Sequence, residues 1–143
     1  MTQRTANVTW SGSLMDGNGT IESVDSGAFG PLDVTWAART EDPEGLTSPE
    51  ELIAAAHAAC FSMALSHGLA QAGTPPARLD TSATVTFVPG TGITKSALAV
   101  RGTVPGIGED AFLEAASAAK ENCPVSKALA AVPEITLEAS LAS

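Results

Sequence analysis

Two stretches of this chain alternate apolar and polar residues in the manner of β-strands, and a long apolar segment separates them. In the first stretch, Asp16–Gly19 is a turn signal between two segments that carry β-branched residues. In the second stretch, Pro89–Gly92 is the corresponding turn between two longer segments. The predicted strands are Val8–Trp10, Thr20–Val24, Leu32–Trp36, Leu79–Val88, Ile93–Thr103 and Ile135–Leu141.

The clearest helix start in the chain comes directly after a charged loop that contains Gly and Pro. Ser48 is a suitable N-cap, Pro49 fits the first helical position, and Glu51 would complete a capping box. Gly and Pro residues past position 71 would end this helix. The predicted helices span residues 49–71, 109–122 and 124–131.

The order of these elements favours an α+β fold over a doubly wound α/β fold, because strands arrive in hairpins and helices come singly. The length of 143 residues fits one domain, which we expect to span residues 1–143. The long helix is apolar on nearly every side, as Leu52–Ala56 and Ala58–Phe61 show. Since a domain of this size can hardly surround such a helix, we expect part of it to be buried against a partner subunit.

Charge and composition exclude several classes of partner. The chain has 7 Lys and Arg against 16 Asp and Glu, a net charge of −9, and no basic cluster that would bind nucleic acid. Residues 1–8 lack the apolar core of a signal peptide, and no run approaches the ~18 apolar residues of a membrane span. We therefore expect a cytoplasmic protein with no membrane or nucleic-acid partner, whose cysteines are kept reduced or form a transient disulfide.

The candidate chemistry lies with the two cysteines. Cys123 precedes Pro124 at a predicted helix N-terminus, where backbone N–H groups stabilise a thiolate. Cys60 lies in the middle of the long helix, three residues after His57 on the same face. The local context of each cysteine favours a small buried residue, and that of His57 favours a core histidine with its hydrogen bonds satisfied. Of the two thiols, Cys123 is predicted to be the more acidic. Two other interpretations of the cysteines remain, a redox pair and half of a metal site. The chain has no Cys-x-x-Cys spacing, so the sequence evidence for a metal site is poor.

The motifs of this chain resemble those of the OsmC/Ohr peroxidases over nearly its whole length. The form His57-Ala58-Ala59-Cys60 is more similar to the osmotically inducible OsmC branch than to the Ohr branch. The resemblance implies an OsmC-like fold, with antiparallel β-sheets wrapped around central long helices in an intertwined homodimer. The matching segments are Trp10–Gly12, Pro49–Ser66, Ile93–Lys95, Val104–Ile107 and Asn122–Ser126.

The same resemblance implies a thiol-dependent peroxidase that reduces organic hydroperoxides without a metal or cofactor. In the family, the cysteine that matches Cys60 attacks the peroxide and becomes a sulfenic acid. The cysteine that matches Cys123 then forms an intramolecular disulfide with it, and an external dithiol, such as that of a lipoylated protein, reduces the disulfide. A non-catalytic dimer that binds apolar ligands or assembles under stress is the alternative.

The resemblance also implies an activating pair, Arg39 and Glu50, although the residues around Arg39 match the family less closely than the cysteine motifs do. Glu50 and Cys60 are ten positions apart on one helix, or about 15 Å, which a glutamate side chain cannot span. The pair is therefore expected to come from the other subunit of the dimer. Phe61 and Met63 are expected to line the site for alkyl chains.

Overall fold

The computed structural model describes residues 1–142, and these divide into two compact units, Met1–Leu52 and the residues from Ile53 onward. Each unit contains a three-stranded sheet, with strand orders β1-β2-β3 and β4-β5-β6. The mixture of separate helices and sheets confirms the predicted α+β class, while the single domain over residues 1–143 stays a prediction. In chain order the elements are β1 (Ala6–Ser11), β2 (Asn18–Val24), β3 (Leu32–Val34), α1 (Trp36–Thr40), α2 (Pro49–Gln71), β4 (Arg78–Val88), β5 (Gly92–Thr103), α3 (Glu109–Asn122), α4 (Pro124–Ala128) and β6 (Glu134–Leu141).

The first unit holds the predicted antiparallel meander. In its register Gly19 faces Trp10 on one side and Val34 on the other. A Cβ atom at Gly19 would lie 2.6 Å from the Trp10 ring, so a side chain at this position would require the indole to shift.

The third strand is shorter than predicted, because Trp36 begins α1 instead of ending β3. The Thr35 hydroxyl caps this helix by accepting a hydrogen bond from the Ala38 N–H at 3.1 Å. Arg39 therefore lies in the last turn of a helix.

The long helix α2 begins and ends where the sequence predicted. Its cap is formed as expected, since the Glu51 N–H donates to the Ser48 hydroxyl at 3.2 Å. The second half of the predicted capping box is wrong, because the Glu51 carboxylate accepts from the Thr47 hydroxyl at 2.9 Å. The chain leaves the helix through Gly73, whose φ of 87° favours glycine.

The sheet of the second unit is mixed, which corrects the expectation of purely antiparallel sheets. Strands β4 and β5 pair antiparallel, but β5 and β6 pair parallel, with Ser96 opposite Ile135. A parallel pair needs a crossover connection, and here that connection consists of α3 and α4.

The core of the second unit lies between α2, α3 and this sheet. A Cβ atom at Gly102 of β5 would come within 2.6 Å of the Phe112 ring, which is fully buried. The buried core residues are Phe61, Leu65, Leu69, Leu98, Val100, Val104, Phe112, Ala116, Ala119 and Cys123.

Within residues 1–142, one helix, α2, is long and apolar enough to cross a membrane if length and composition are the only criteria. By that measure the expectation that no segment reaches this threshold was wrong. The finding is weak evidence for a span, because a core helix passes the same test and α2 places Phe61, Leu65 and Leu69 in the core of the second unit.

Candidate functional site

In the first unit, Arg39 and Glu50, the pair that the resemblance implied, form a bidentate contact. Arg39 Nη2 lies 2.7 Å from Glu50 Oε1, and Arg39 Nε lies 2.9 Å from Oε1 and 3.1 Å from Oε2. The arginine side chain is 29% exposed and the glutamate side chain 8%. Glu50 also lies in the first turn of α2, where the helix dipole favours a negative charge. Planar fork geometry of this kind fixes the direction of the guanidinium as well as its position.

The face of the Trp36 ring supports the same guanidinium. Arg39 Cζ lies 6.0 Å from the ring centroid, within the range of a cation–π contact. This contact was not predicted from the sequence, because it depends on both residues lying in the same short helix, α1.

A cavity of about 400 Å³ adjoins Arg39 within the first unit. Its volume is within the range of sites that bind small ligands. The walls are apolar and come from Trp10, Leu14, Val34, Trp36 and Pro49.

In the second unit, Cys60 of α2 and Cys123 before α4 lie side by side as reduced thiols. They are not joined by a disulfide, and each lies close enough to the other to influence its pKa. Cys123 is fully buried, whereas Cys60 is partly exposed. Cys123 is the N-cap of α4, as predicted: its sulfur accepts the Ser126 N–H at 3.5 Å, and Pro124 occupies the first helical position.

The two thiols differ in acidity. Burial raises the pKa of Cys60, and this effect outweighs the hydrogen bond from the backbone of Val125. Burial also acts to raise the pKa of Cys123, but hydrogen bonds from the Ser126 backbone, the Cys60 thiol, the Ser126 side chain and the Val125 backbone lower it overall. The sequence prediction that Cys123 is the more acidic thiol therefore agrees with the environment of the two residues in this chain.

His57 is a fully buried histidine with both ring nitrogens engaged, as the sequence interpretation favoured. Nδ1 lies 2.7 Å from the Ser96 hydroxyl on β5, and Nε2 lies 2.8 Å from the Ser126 hydroxyl on α4. Burial lowers the pKa of this imidazole. Sequence reasoning missed both serines. The signal available was indirect: a histidine on an apolar helix needs buried hydrogen-bond partners.

The possible metal site of His57, Cys60 and Cys123 has no support in the geometry. Across residues 1–142, no group of three or more His, Cys, Asp or Glu side chains is arranged to hold a metal ion. The two nitrogens of His57 face serine hydroxyls instead.

The expected alkyl site is corrected at one of its two residues. Phe61 is fully buried in the core of the second unit and cannot line a surface site. Met63, two residues further along α2, is 74% exposed.

Together these residues supply two kinds of chemistry. Adjacent thiols can pass reversibly between a dithiol and a disulfide. A guanidinium held by a carboxylate can stabilise an anion such as a thiolate.

Comparisons with known proteins agree with this chemistry. The family described as OsmC-like protein matches residues 41–138. Peroxiredoxin OsmC from Escherichia coli (strain K12) is 45% identical over 137 residues, which cover 94% of this chain and 93% of that protein.

The fold also matches solved structures. An OsmC-like protein of unknown function from Vibrio cholerae gives a TM-score of 0.71 at 18% identity, covering 97% of this chain and 99% of that one. An organic hydroperoxide resistance protein OsmC from Legionella pneumophila gives a TM-score of 0.64 at 21% identity, covering 97% of each chain. At these identities the structural likeness concerns the fold alone.

Proposed function

Because the chain belongs to the OsmC-like protein family and is a peroxidase of the peroxiredoxin type, we propose that it reduces organic hydroperoxides to alcohols with Cys60 as the attacking thiol and Cys123 as the resolving thiol. The observation that carries the proposal is the contact between these two reduced thiols in one unit of the fold. No metal or cofactor enters the proposed cycle.

The proposed reaction has three steps. The Cys60 thiolate attacks the terminal oxygen of the hydroperoxide, the O–O bond breaks, and the alkoxide takes up a proton to leave as the alcohol. The Cys123 sulfur then attacks the sulfur of the Cys60 sulfenic acid, a disulfide forms, and water leaves. An external dithiol returns both residues to thiols by disulfide exchange.

Accessibility supports the assignment of the two roles. Cys123 is fully buried, so a hydroperoxide cannot reach it, whereas partly exposed Cys60 is accessible. The lowered pKa of Cys123 suits a resolving group, which must attack as a thiolate. The raised pKa of Cys60 means that its own environment does not activate it, and a cation is needed.

We assign that activation to Arg39, with Glu50 holding the guanidinium in place. The bidentate contact supports this role because it presents the charge in one fixed direction. The apolar cavity beside Arg39 is the proposed site for the alkyl part of the hydroperoxide, in place of Phe61.

The exposed surface of the chain supports a homodimer. One face of α2 carries exposed apolar residues at helical spacing, Ala55, Ala56, Ala59 and Met63. Every residue of β1 is exposed as well, although this edge strand includes Val8 and Trp10. A second copy would cover such surfaces, and in this arrangement Arg39 and Glu50 of one subunit would serve Cys60 of the other.

The proposed reductant is a dithiol, such as that of a lipoylated protein, and the proposed location is the cytoplasm. Both follow from the use of thiols that must return to the reduced state after each turnover.

Paired cysteine variants test the proposal. Purified wild type, Cys60→Ser and Cys123→Ser would be mixed with cumene hydroperoxide, first with dithiothreitol and then without it. We expect Cys60→Ser to abolish turnover and Cys123→Ser to form one sulfenic acid per chain. Mass spectrometry of the wild type should show a loss of two hydrogens that maps to a Cys60–Cys123 link. Full turnover by Cys60→Ser would rule out the mechanism, and a wild type that consumes no hydroperoxide would favour the non-catalytic alternative.

A further inference from the structure

We propose that His57 is a positioning residue for disulfide closure, which acts through its hydrogen bond to Ser126. This bond holds the segment that carries Cys123 against α2, so that the Cys123 thiol stays in contact with Cys60. The inference rests on the proposed function, in which this disulfide forms once in every turnover.

The first support is the burial of His57. The residue is fully buried on a helix whose other side chains in this region are mostly apolar. A polar ring in such a place is costly unless both nitrogens are paired, and here each nitrogen meets a serine hydroxyl. In a neutral imidazole one nitrogen donates and the other accepts, and a hydroxyl can serve either of them.

The second support is the position of Ser126, the third residue of α4. Its hydroxyl contacts His57 Nε2 at 2.8 Å, while its N–H donates to the sulfur of Cys123 at 3.5 Å. One residue thus links the imidazole on α2 to the thiol that caps α4. Any movement of Ser126 away from His57 would carry Cys123 with it.

The third support is that the contacts follow α2 for a full turn. His57 binds Ser126, and Cys60, three residues later on the same face, meets the thiol of Cys123 and the backbone of Val125. Ser96 lies on β5, and its hydroxyl bonds the opposite ring nitrogen, Nδ1, so it orients the ring from the side of the sheet. The two serines therefore form a natural pair of test and control.

The step that this geometry serves is intramolecular. The sulfur of Cys123 attacks the sulfur of the Cys60 sulfenic acid, the S–S bond forms and the S–O bond breaks. The hydroxyl leaves as water with the proton from the Cys123 thiol. Because the rate and the equilibrium both depend on the local concentration of Cys123 at Cys60, an anchor that holds the two together raises both.

The first experiment compares Ser126→Ala with Ser96→Ala in glutathione redox buffers. Each variant removes one hydroxyl from the same imidazole, so the loss of thermal stability should be similar. We expect Ser126→Ala to lower the equilibrium constant for the Cys60–Cys123 disulfide by about tenfold, and Ser96→Ala by no more than about twofold, because only the Ser126 hydroxyl ties the thiol segment to His57. That hydroxyl also contacts Cys123 itself, so the second experiment, which leaves Ser126 in place, assigns the effect to the imidazole. Acid quenching, alkylation and mass spectrometry give the disulfide fraction. Equal effects of the two variants would overturn the proposal.

The second experiment replaces the imidazole itself. In His57→Gln the amide reaches the position of Nε2 and can still bind Ser126, whereas in His57→Asn it reaches only the position of Nδ1. After one equivalent of cumene hydroperoxide, His57→Asn should accumulate sulfenic acid that dimedone traps, and His57→Gln should close the disulfide as the wild type does. The rate of the first oxidation should be the same in both. Trapping to the same extent in both variants would contradict the positioning role.

The two proposals can fail separately. If the wild type forms the disulfide in glutathione buffer but consumes no hydroperoxide, the proposed peroxidase function is wrong and the positioning role can still hold. If the wild type turns over hydroperoxide and both serine variants close equally well, the positioning role is wrong and the peroxidase function is unaffected.

Discussion

The two regions that hold the candidate residues are stabilised in different ways. In the first unit, Arg39 and Glu50 are opposite charges, and the arginine keeps contact with solvent. In the second unit, His57 and its two serines are neutral and buried, and the thiol pair beside them is partly or fully buried. Charges are costly to bury and neutral hydrogen-bonding groups much less so, which explains why the cation lies near the surface and the dithiol in the core. We therefore expect substitutions in the first region to act mainly on activity, and those in the second mainly on stability and closure.

The largest expected effect comes from removing the charge of Arg39. Arg39→Gln should lower kcat/KM for cumene hydroperoxide by about 100-fold, as the loss of one preorganised donor does elsewhere. It should also cost about 1–3 kcal/mol of unfolding free energy, because Glu50 would be left as a nearly buried carboxylate without its partner.

A double variant separates these two effects. Adding Glu50→Gln to Arg39→Gln should restore much of the stability, measured by urea unfolding, without restoring activity. Arg78→Gln, which removes an exposed ion pair with Asp80, is the matched control and should change neither quantity appreciably. Recovery of activity together with stability would show that the pair is structural.

The next effect concerns two strand glycines that face aromatic rings. A Cβ at Gly19 would lie 2.6 Å from Trp10, and one at Gly102 would lie 2.6 Å from Phe112. Trp10 is 41% exposed and can move, whereas Phe112 is fully buried. Gly102→Ala should therefore cost about 2–3 kcal/mol and Gly19→Ala about 1 kcal/mol or less. Denaturant unfolding of the two variants tests the contrast, and a larger loss for Gly19→Ala would reverse it.

The smallest effect is a dependence of stability on pH. Burial lowers the pKa of His57 from its ordinary value of 6.5, so the unfolded chain binds a proton at this residue before the folded chain does. The contribution of His57 to the free energy of unfolding is therefore complete above about pH 6.5. It is lost as the pH falls from there towards the lower pKa of the folded state.

Comparing the unfolding free energy of the wild type with that of His57→Gln isolates the contribution of this histidine. The groups packed around the ring are the hydroxyls of Ser96 and Ser126, with the thiols of Cys60 and Cys123 nearby. The unfolding free energy of the wild type should fall more steeply with acid than that of His57→Gln, while His67→Gln, at an exposed position of α2, should follow the wild type. Parallel curves for wild type and His57→Gln would exclude the effect.

Local signals were sufficient to predict much of this fold. The cap at Ser48 and the stop at Gly73 act over a few residues, and they fixed both ends of α2. The helix α1 was missed because Thr35 and Trp36 have strand-like side chains, and a five-residue helix has no periodicity to detect. The parallel pairing of β6 was missed because it depends on a partner strand far away in the chain.

The candidate site shows the same division. The cap role of Cys123 follows from its neighbours Pro124 and Ser126, and it was predicted. The partners of His57 lie 39 and 69 residues away, at single serines that nothing in the local sequence marks. Burial of a polar side chain predicts that partners exist but does not say which residues they are.

The crossover between β5 and β6 has a consequence for the newly made chain. Cys123 belongs to this crossover, so it meets Cys60 only after the non-local contacts of the second unit have formed, which is a late and slow event in folding. Before that point, an oxidised Cys60 would have no neighbouring thiol to form a disulfide, and further peroxide would carry it to sulfinic acid, which is seldom reversed. In the proposed cycle, completion of the fold is then what makes the first oxidation of Cys60 recoverable.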